Sequence, residues 1–182
     1  MARLVDRWAP ERRSDAALLD VGCGYGHLLA RFRDHYELYG VELSDHAAAM
    51  ARDRLPRAHV LRADLQRGLP FRGRFDVVLA INVVEHLADP RAGVAALAGT
   101  LRDRGVAVIH LPTINGPVSR GIYRFAYAGD PTHIYRPSSR EVVRLFESEG
   151  FTLLEGSHAP HSRWMLSGVR WHPAYLAALR LG

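Results

Sequence analysis

The chain has 182 residues, 48% of them apolar, with one cysteine and 24 basic residues that are all arginine, for a formal net charge of +5. This length suits one domain with a sizeable core, and the composition excludes a disulfide-built or multi-cysteine zinc scaffold and a chain too polar to fold. No apolar run approaches the roughly 20 residues of a membrane-spanning helix and the first ten residues lack a secretory signal's apolar core, so one cytoplasmic domain over residues 1–182 is expected, its arginines permitting an anionic substrate without requiring nucleic acid.

Apolar runs then alternate with helical patterns. AALLDV (16–21) reads as a buried strand, and HLLARFRDH (27–35) has helical spacing, with Leu28, Leu29 and Phe32 on one face. ELYGVEL (37–43) is a second strand, after which Ser44 caps a helix over 45–55. AHVLRA (58–63) is a weaker strand and RFDVVLAI (74–81) the strongest. Asp89 and Pro90 open a helix over 89–103, followed by a strand at 105–111. Residues 112–137, aromatic and rich in Gly and Pro, read as a long functional loop. A capping box, Ser138 to Glu141, opens a helix that stops at Gly150, and a strand follows at 151–157. The tail, 163–182, mixes Trp164, Trp171 and Tyr175 with arginines and reads as an edge strand with a packing helix. This alternation predicts a mostly parallel sheet covered by helices on both faces, with the 16–21 strand central.

Gly22, Gly24 and Gly26 follow that strand directly. Parallel sheets bind ligands at the carboxyl ends of their strands, and a backbone without Cβ atoms turns sharply and approaches a ligand closely. Glu42, about twenty residues on, is placed to accept from both hydroxyls of a ribose. The spacing is G-x-G-x-G, whereas dinucleotide sites use G-x-G-x-x-G. Asp20 adds a carboxylate at the floor of the site, which suits an ammonium or sulfonium and repels a pyrophosphate. The ligand read from these residues is an amino-acid nucleoside.

LLDVGCGYG, YGVELS, RADLQRGLPF, FDVVLAINVVEHLADP and DPTHIYRPSSREVVRLFESEGF occur in the order found in class I S-adenosylmethionine-dependent methyltransferases, and over residues 16–157 the sequence resembles that family. It is most similar to the group that includes ubiquinone-biosynthesis O-methyltransferases. The resemblance implies a Rossmann-like three-layer α/β sandwich with a mostly parallel seven-stranded sheet and one antiparallel strand near the C-terminus, within 162–169. It implies that Asp20, Gly22 and Gly24 surround the methionine portion of S-adenosylmethionine. Glu42 would hold the ribose and Leu43 would lie against the adenine. Asp64 would accept from the adenine amino group, with a backbone donor at Leu65, and Asn82 would lie near the transferred methyl. Cys23, common between such glycines, reads as a packing residue.

Methyl transfer from a sulfonium is an in-line displacement, so the protein mainly aligns the reactants, and a protonated acceptor also needs a base. Of the histidines, His86 follows the fourth strand on the ligand side and His133 lies in the long loop, facing the acceptor in relatives; these two are the catalytic candidates. In some relatives an acid three residues before Glu-His joins that pair, and in RNA-type relatives a later histidine, to bind a divalent metal. Here Glu85, His86 and His133 are present but Asn82 replaces the acid, so no metal is expected. Only about fifteen residues precede the first strand, fewer than in small-molecule relatives of this group. The loop, a partner subunit, a second copy of the chain or a tethered acceptor is then expected to roof the site. The alternatives are an RNA methyltransferase and a non-catalytic cofactor-binding subunit that activates a partner.

Overall fold

The computed structural model describes residues 1–11, 14–127, 129–158 and 173–182, with Ala126 described in its backbone only. In chain order the elements are α1 (Ala2–Trp8), β1 (Ala17–Val21), β2 (Glu37–Glu42), α2 (Asp45–Arg54), β3 (His59–Arg62), β4 (Phe75–Ile81), α3 (Pro90–Thr100), β5 (Leu101–Pro112), α4 (Pro117–Tyr127), α5 (Ser139–Ser148), β6 (Phe151–Ser157) and β7 (Ala174–Leu181). They build one seven-stranded sheet in the order β3-β2-β1-β4-β5-β7-β6. β1 to β5 run parallel, and β7 lies antiparallel between β5 and β6.

Alternation along the strands divides the core into two layers. Leu19, Val78, Ala107 and Leu179 face α3 and α5, where Val94, Leu97, Val142 and Phe146 pack. Leu18, Leu79, Val108 and Ala178 face Val5 of α1 and Ala48 and Ala51 of α2. Both faces are buried, which is why these strands read as continuous apolar runs. The capping residues act as read: Ser44 accepts from Ala47 N, Asp89 from Ala92 N, and Ser138 with Glu141 forms the reciprocal box.

Four expectations are corrected. Residues 27–35 form turns and a short 3-10 segment, Leu29–Phe32, in place of an α-helix. Leu29 and Phe32 are both buried at i, i+3, the spacing that a 3-10 turn stacks on one side, while Arg33, Asp34 and His35 are exposed and give the helix no face to continue. Segment 112–137 contains α4, headed by Pro117, whose fixed φ suits a first helical position. The antiparallel strand lies at Ala174–Leu181; residues 162–169, where it was expected, fall outside the described residues. β1 is interior but third in the sheet, and β4 is central. Among the described residues no helix is long and apolar enough to cross a membrane.

Candidate active site

The strand order reverses direction between β1 and β4, and the crevice outside the carboxyl ends of these strands is where an open α/β sheet binds ligands. Asp20 pairs in register with Gly40 of β2 and Leu79 of β4, so its side chain is fixed beneath the turn that follows. Gly22 and Cys23 donate to Val41 O at 2.7 and 3.1 Å, drawing that turn against β2. Gly22 has φ +73°, and a Cβ there would lie 2.7 Å from Val83 Cγ2; Gly24 has φ +53°, and a Cβ there would meet no atom within 4 Å. The first glycine permits packing onto the segment after β4, and the second leaves open space.

Glu42, at the end of β2, locks this loop. Its Oε2 accepts from Gly24 N and its Oε1 from Leu43 N and Ser44 N, all at 2.9 Å. A carboxylate offers about four acceptor sites, so one stays open beside the space left at Gly24. Beyond it a cavity of about 250 Å³ is lined by Leu43, Arg62, Ala63, Asp64 and Arg67. Leu43 is 59% exposed there, an apolar side chain standing free for a flat apolar ligand. Asp64 Oδ1 caps the turn 65–67 through Gln66 N, and its Oδ2 lies 3.6 Å from Arg67 Nε. Leu65 is buried, so only its backbone can reach a ligand.

Asp20 is 2% exposed, and burial, then the charge of Glu42, pushes its carboxyl up to about 7. A cation bound above it would relieve that penalty. Burial, then the charges of Asp20 and Glu42, pushes the Cys23 thiol up to about 12, and its sulfur packs where a Cβ on Gly40 would lie 2.8 Å away. The thiol is therefore inert and serves as packing.

Asn82, at the carboxyl end of β4, holds φ +54°, a rare conformation outside glycine. Its N donates to His110 O and its Oδ1 lies 2.8 Å from His110 Nδ1, a tie to β5 that has no signal in the sequence.

The two expected catalytic histidines come together: the rings of His86 and His133 are 4.8 Å apart at 76°. Tyr135 N donates to Glu85 O, docking the segment after α4 onto the turn Val84–His86. His86 Nδ1 lies 3.1 Å from Thr132 O and 2.9 Å from Thr132 Oγ1, and Thr132 Oγ1 donates to Asp130 Oδ1. These bonds hold the Asp130 carboxyl below its ordinary value. His133 is buried against Tyr127, with Tyr123 Oη 3.3 Å from its Nδ1. Burial, then the charge of His86, lowers the His133 value, which keeps its ring neutral near pH 7. Tyr123 belongs to the aromatic stretch read as functional, whereas Asp130 and Thr132 carry no signal in their types; only the closeness of Thr132 to His133 in sequence points to them.

Glu85 is 0% exposed, and both its carboxylate oxygens lack a partner among the described residues. Burial pushes it up to about 7. One ligand atom each from Glu85, His86 and His133 lies within 4.8 Å of the others. Of the remaining histidines, His158 is buried 5.3 Å from the Tyr175 ring, and His161 lies outside the described residues.

A sheet of this order, with an acid beneath a G-x-G-x-G turn and a second acid clamping that turn, defines the class I S-adenosylmethionine-dependent methyltransferase architecture. Residues 1–155 match the model of a methyltransferase domain, and the chain belongs to that family. Among curated proteins it is 31% identical over 165 residues to the ubiquinone biosynthesis O-methyltransferase of Nitrobacter winogradskyi, covering 82% of this chain and 63% of that protein. It is 34% identical over 100 residues to the Bradyrhizobium protein of that name, covering 53% of this chain and 40% of that protein. The chain thus spans less than two thirds of the length of either relative. Among solved structures it has the fold of the chain bound to the Haloferax volcanii Trm112 methyltransferase activator (TM-score 0.77, 18% identity, 98% and 87% of the two chains). It also has the fold of an S-adenosylmethionine-dependent methyltransferase of Methanosarcina mazei (TM-score 0.75, 14% identity, 97% and 96%). The family and fold imply S-adenosylmethionine as cofactor, and the open space at Gly24, the free acceptor site of Glu42 and the cavity beside Leu43 fit it.

Proposed function

We propose that this chain transfers a methyl group from S-adenosylmethionine to an oxygen, nitrogen or carbon nucleophile, with oxygen the favoured atom. The observation that carries the reading is the Glu42 carboxylate, bound to Gly24 N and reaching across from β2 to the glycine turn. That clamp turns backbone and carboxylate toward one nucleoside-sized space. When bound, the cofactor supplies a methyl already activated on a sulfonium, so the chain has to bind, align and exclude water. Asp20 and Glu42 would hold the amino-acid and ribose ends, Leu43, Asp64 and the Leu65 backbone the adenine, and Asn82 the approach to the methyl. His86 and His133 would take the acceptor's proton. The similarity to ubiquinone biosynthesis O-methyltransferases supports the oxygen acceptor.

Titration calorimetry with S-adenosylhomocysteine, without added metal, tests the cofactor, and a panel of phenol, amine and carbon acceptors tests transfer. Binding of NADH in place of S-adenosylhomocysteine overturns the reading. Binding without turnover on any acceptor points to a subunit that works with a partner, an arrangement supported by the fold it shares with the Trm112-bound chain.

A second reading rests on Glu85, His86 and His133. A buried carboxylate with two unpartnered oxygens beside two imidazoles is a donor set that suits a divalent cation. Turnover that rises with Mg²⁺ or Mn²⁺ and is abolished by chelation favours it; turnover indifferent to both excludes it.

A further inference from the structure

His86 makes two contacts through one ring nitrogen, and both partners are acceptors. The carbonyl oxygen of Thr132, 3.1 Å from Nδ1, can only accept. The hydroxyl of Thr132, 2.9 Å from the same nitrogen, has given its hydrogen to Asp130 Oδ1 at 2.5 Å. Asp130 Oδ1 also accepts from Thr132 N, so its carboxylate fixes the whole residue. The proton of a neutral His86 must therefore sit on Nδ1. Which ring nitrogen of a histidine carries the proton is set by the hydrogen bond its other nitrogen makes.

His133 is placed differently. Its Nδ1 lies 3.3 Å from Tyr123 Oη and its Nε2 lies 3.6 Å from Asp130 Oδ2, so each nitrogen has a neighbour. Among the described residues Nε2 of His86 has no hydrogen-bond partner. The two histidines that look equivalent in sequence thus differ in which has a nitrogen to spare.

We propose that Asp130 and Thr132 are positioning residues that hold His86 in its Nδ1–H form, leaving the Nε2 lone pair of His86 as the basic nitrogen for the acceptor. The role of the base rests on the methyl-transfer reading; the protonation pattern does not. In the transfer step Nε2 takes the acceptor's proton while the acceptor's electron pair forms the bond to the methyl carbon. The carbon–sulfur pair returns to sulfur, and His86 becomes an imidazolium that still donates from Nδ1 to Thr132. Asp130, already ionised, balances that charge through the hydroxyl.

The test is long-range ¹H–¹⁵N spectroscopy of the imidazoles at pH 8.5, where histidines are neutral, with His86→Gln assigning the resonances. The expected spectrum shows His86 protonated on Nδ1 and bare on Nε2; an Nε2–H form overturns the proposal. Thr132→Val leaves only the carbonyl and should give mixed forms, while Thr132→Ser, which keeps the hydroxyl, should match the parent. A Thr132→Val spectrum identical to the parent overturns the part assigned to the hydroxyl. With an acceptor in hand, Thr132→Val should lower kcat about tenfold or more with KM for S-adenosylmethionine unchanged, and Thr132→Ser should restore it. S-adenosylhomocysteine binding is measured beside it: loss of binding in the parent sinks the methyl-transfer reading while the spectrum still decides the pattern at His86.

Discussion

Glu42 and Glu85 both stand at the carboxyl edge of the sheet, and they are held in opposite ways. Glu42 accepts from three backbone amides and closes a turn that the main chain has already shaped. Glu85 is buried with neither oxygen partnered among the described residues, in a region assembled from side chains. His86 there meets Thr132, a residue 46 positions away, across a turn after β4 and the segment after α4. The proposed cofactor side is thus backbone work fixed by strand ends, and the proposed acceptor side is side-chain work carried by a turn and the segment after α4. His133, Thr132 and Asp130 sit on one short segment and are tied to one another.

Five substitutions should respect this division. The largest effect is expected at His86→Ala: turnover should fall about 10²–10⁴-fold, the usual contribution of a positioned base, with S-adenosylhomocysteine affinity unchanged by calorimetry. His133→Ala in the same assay should cost less; a larger loss there would move the base to His133. Next comes Glu42→Ala, which removes charge-assisted bonds worth about 1.5–3 kcal/mol. It should weaken S-adenosylhomocysteine binding roughly ten- to a hundredfold, and unchanged affinity would remove Glu42 from the site.

Asp20 gives a smaller, pH-dependent effect. Its folded value, about 7, lies above the ordinary 3.8. The ionised form is therefore disfavoured by folding: the cost is absent below about pH 4, grows between pH 4 and 7, and is full above pH 7. Asp20→Asn should raise Tm measured at pH 8, by about 2–4 °C for each kcal/mol relieved, and leave Tm at pH 4 unchanged. Binding of the sulfonium cofactor runs the other way: affinity should weaken as pH falls from 8 to 6 and Asp20 takes up its proton, and the Asn variant should lose this dependence. The smallest effect belongs to Ser138→Ala, which opens the capping box of α5. A loss of about 1 kcal/mol in urea unfolding is expected, with cofactor affinity untouched.

What could be read in the sequence follows the same division. Ser44, Asp89 and the Ser138–Glu141 pair announce their helices because a cap is a local interaction between neighbours in the chain. β1 and β4 are legible because burial on both faces leaves unbroken apolar runs. Asp20, Gly22, Gly24 and Glu42 are legible because the strand ends bring them together at fixed spacing. α4 was hidden by Gly116, Gly121 and Gly129, which read as loop, although Pro117 at its head is a helix signal. β7 was hidden because its Ala and Leu residues favour helix in isolation. Only its place between β5 and β6 makes it a strand. The partnership of Thr132 with His86 was invisible for a plainer reason: nothing near either residue encodes a contact made across 46 positions.

The place of β7 has a consequence for how the molecule is made. Among the described residues β6 pairs only with β7, and β7 pairs on its other side with β5. Synthesis delivers β6 first, before the strand it pairs with has been made. It must wait, tethered by α5, until Ala174–Leu181 arrives and slides in beside it. Until then β5, mostly apolar from Gly105 to Pro112, presents an unpaired edge, the kind of surface that captures strands from neighbouring chains. A nascent chain that ends between Gly150 and Ala174 would therefore carry the glycine turn after β1 together with an open sheet edge, prone to aggregate through it.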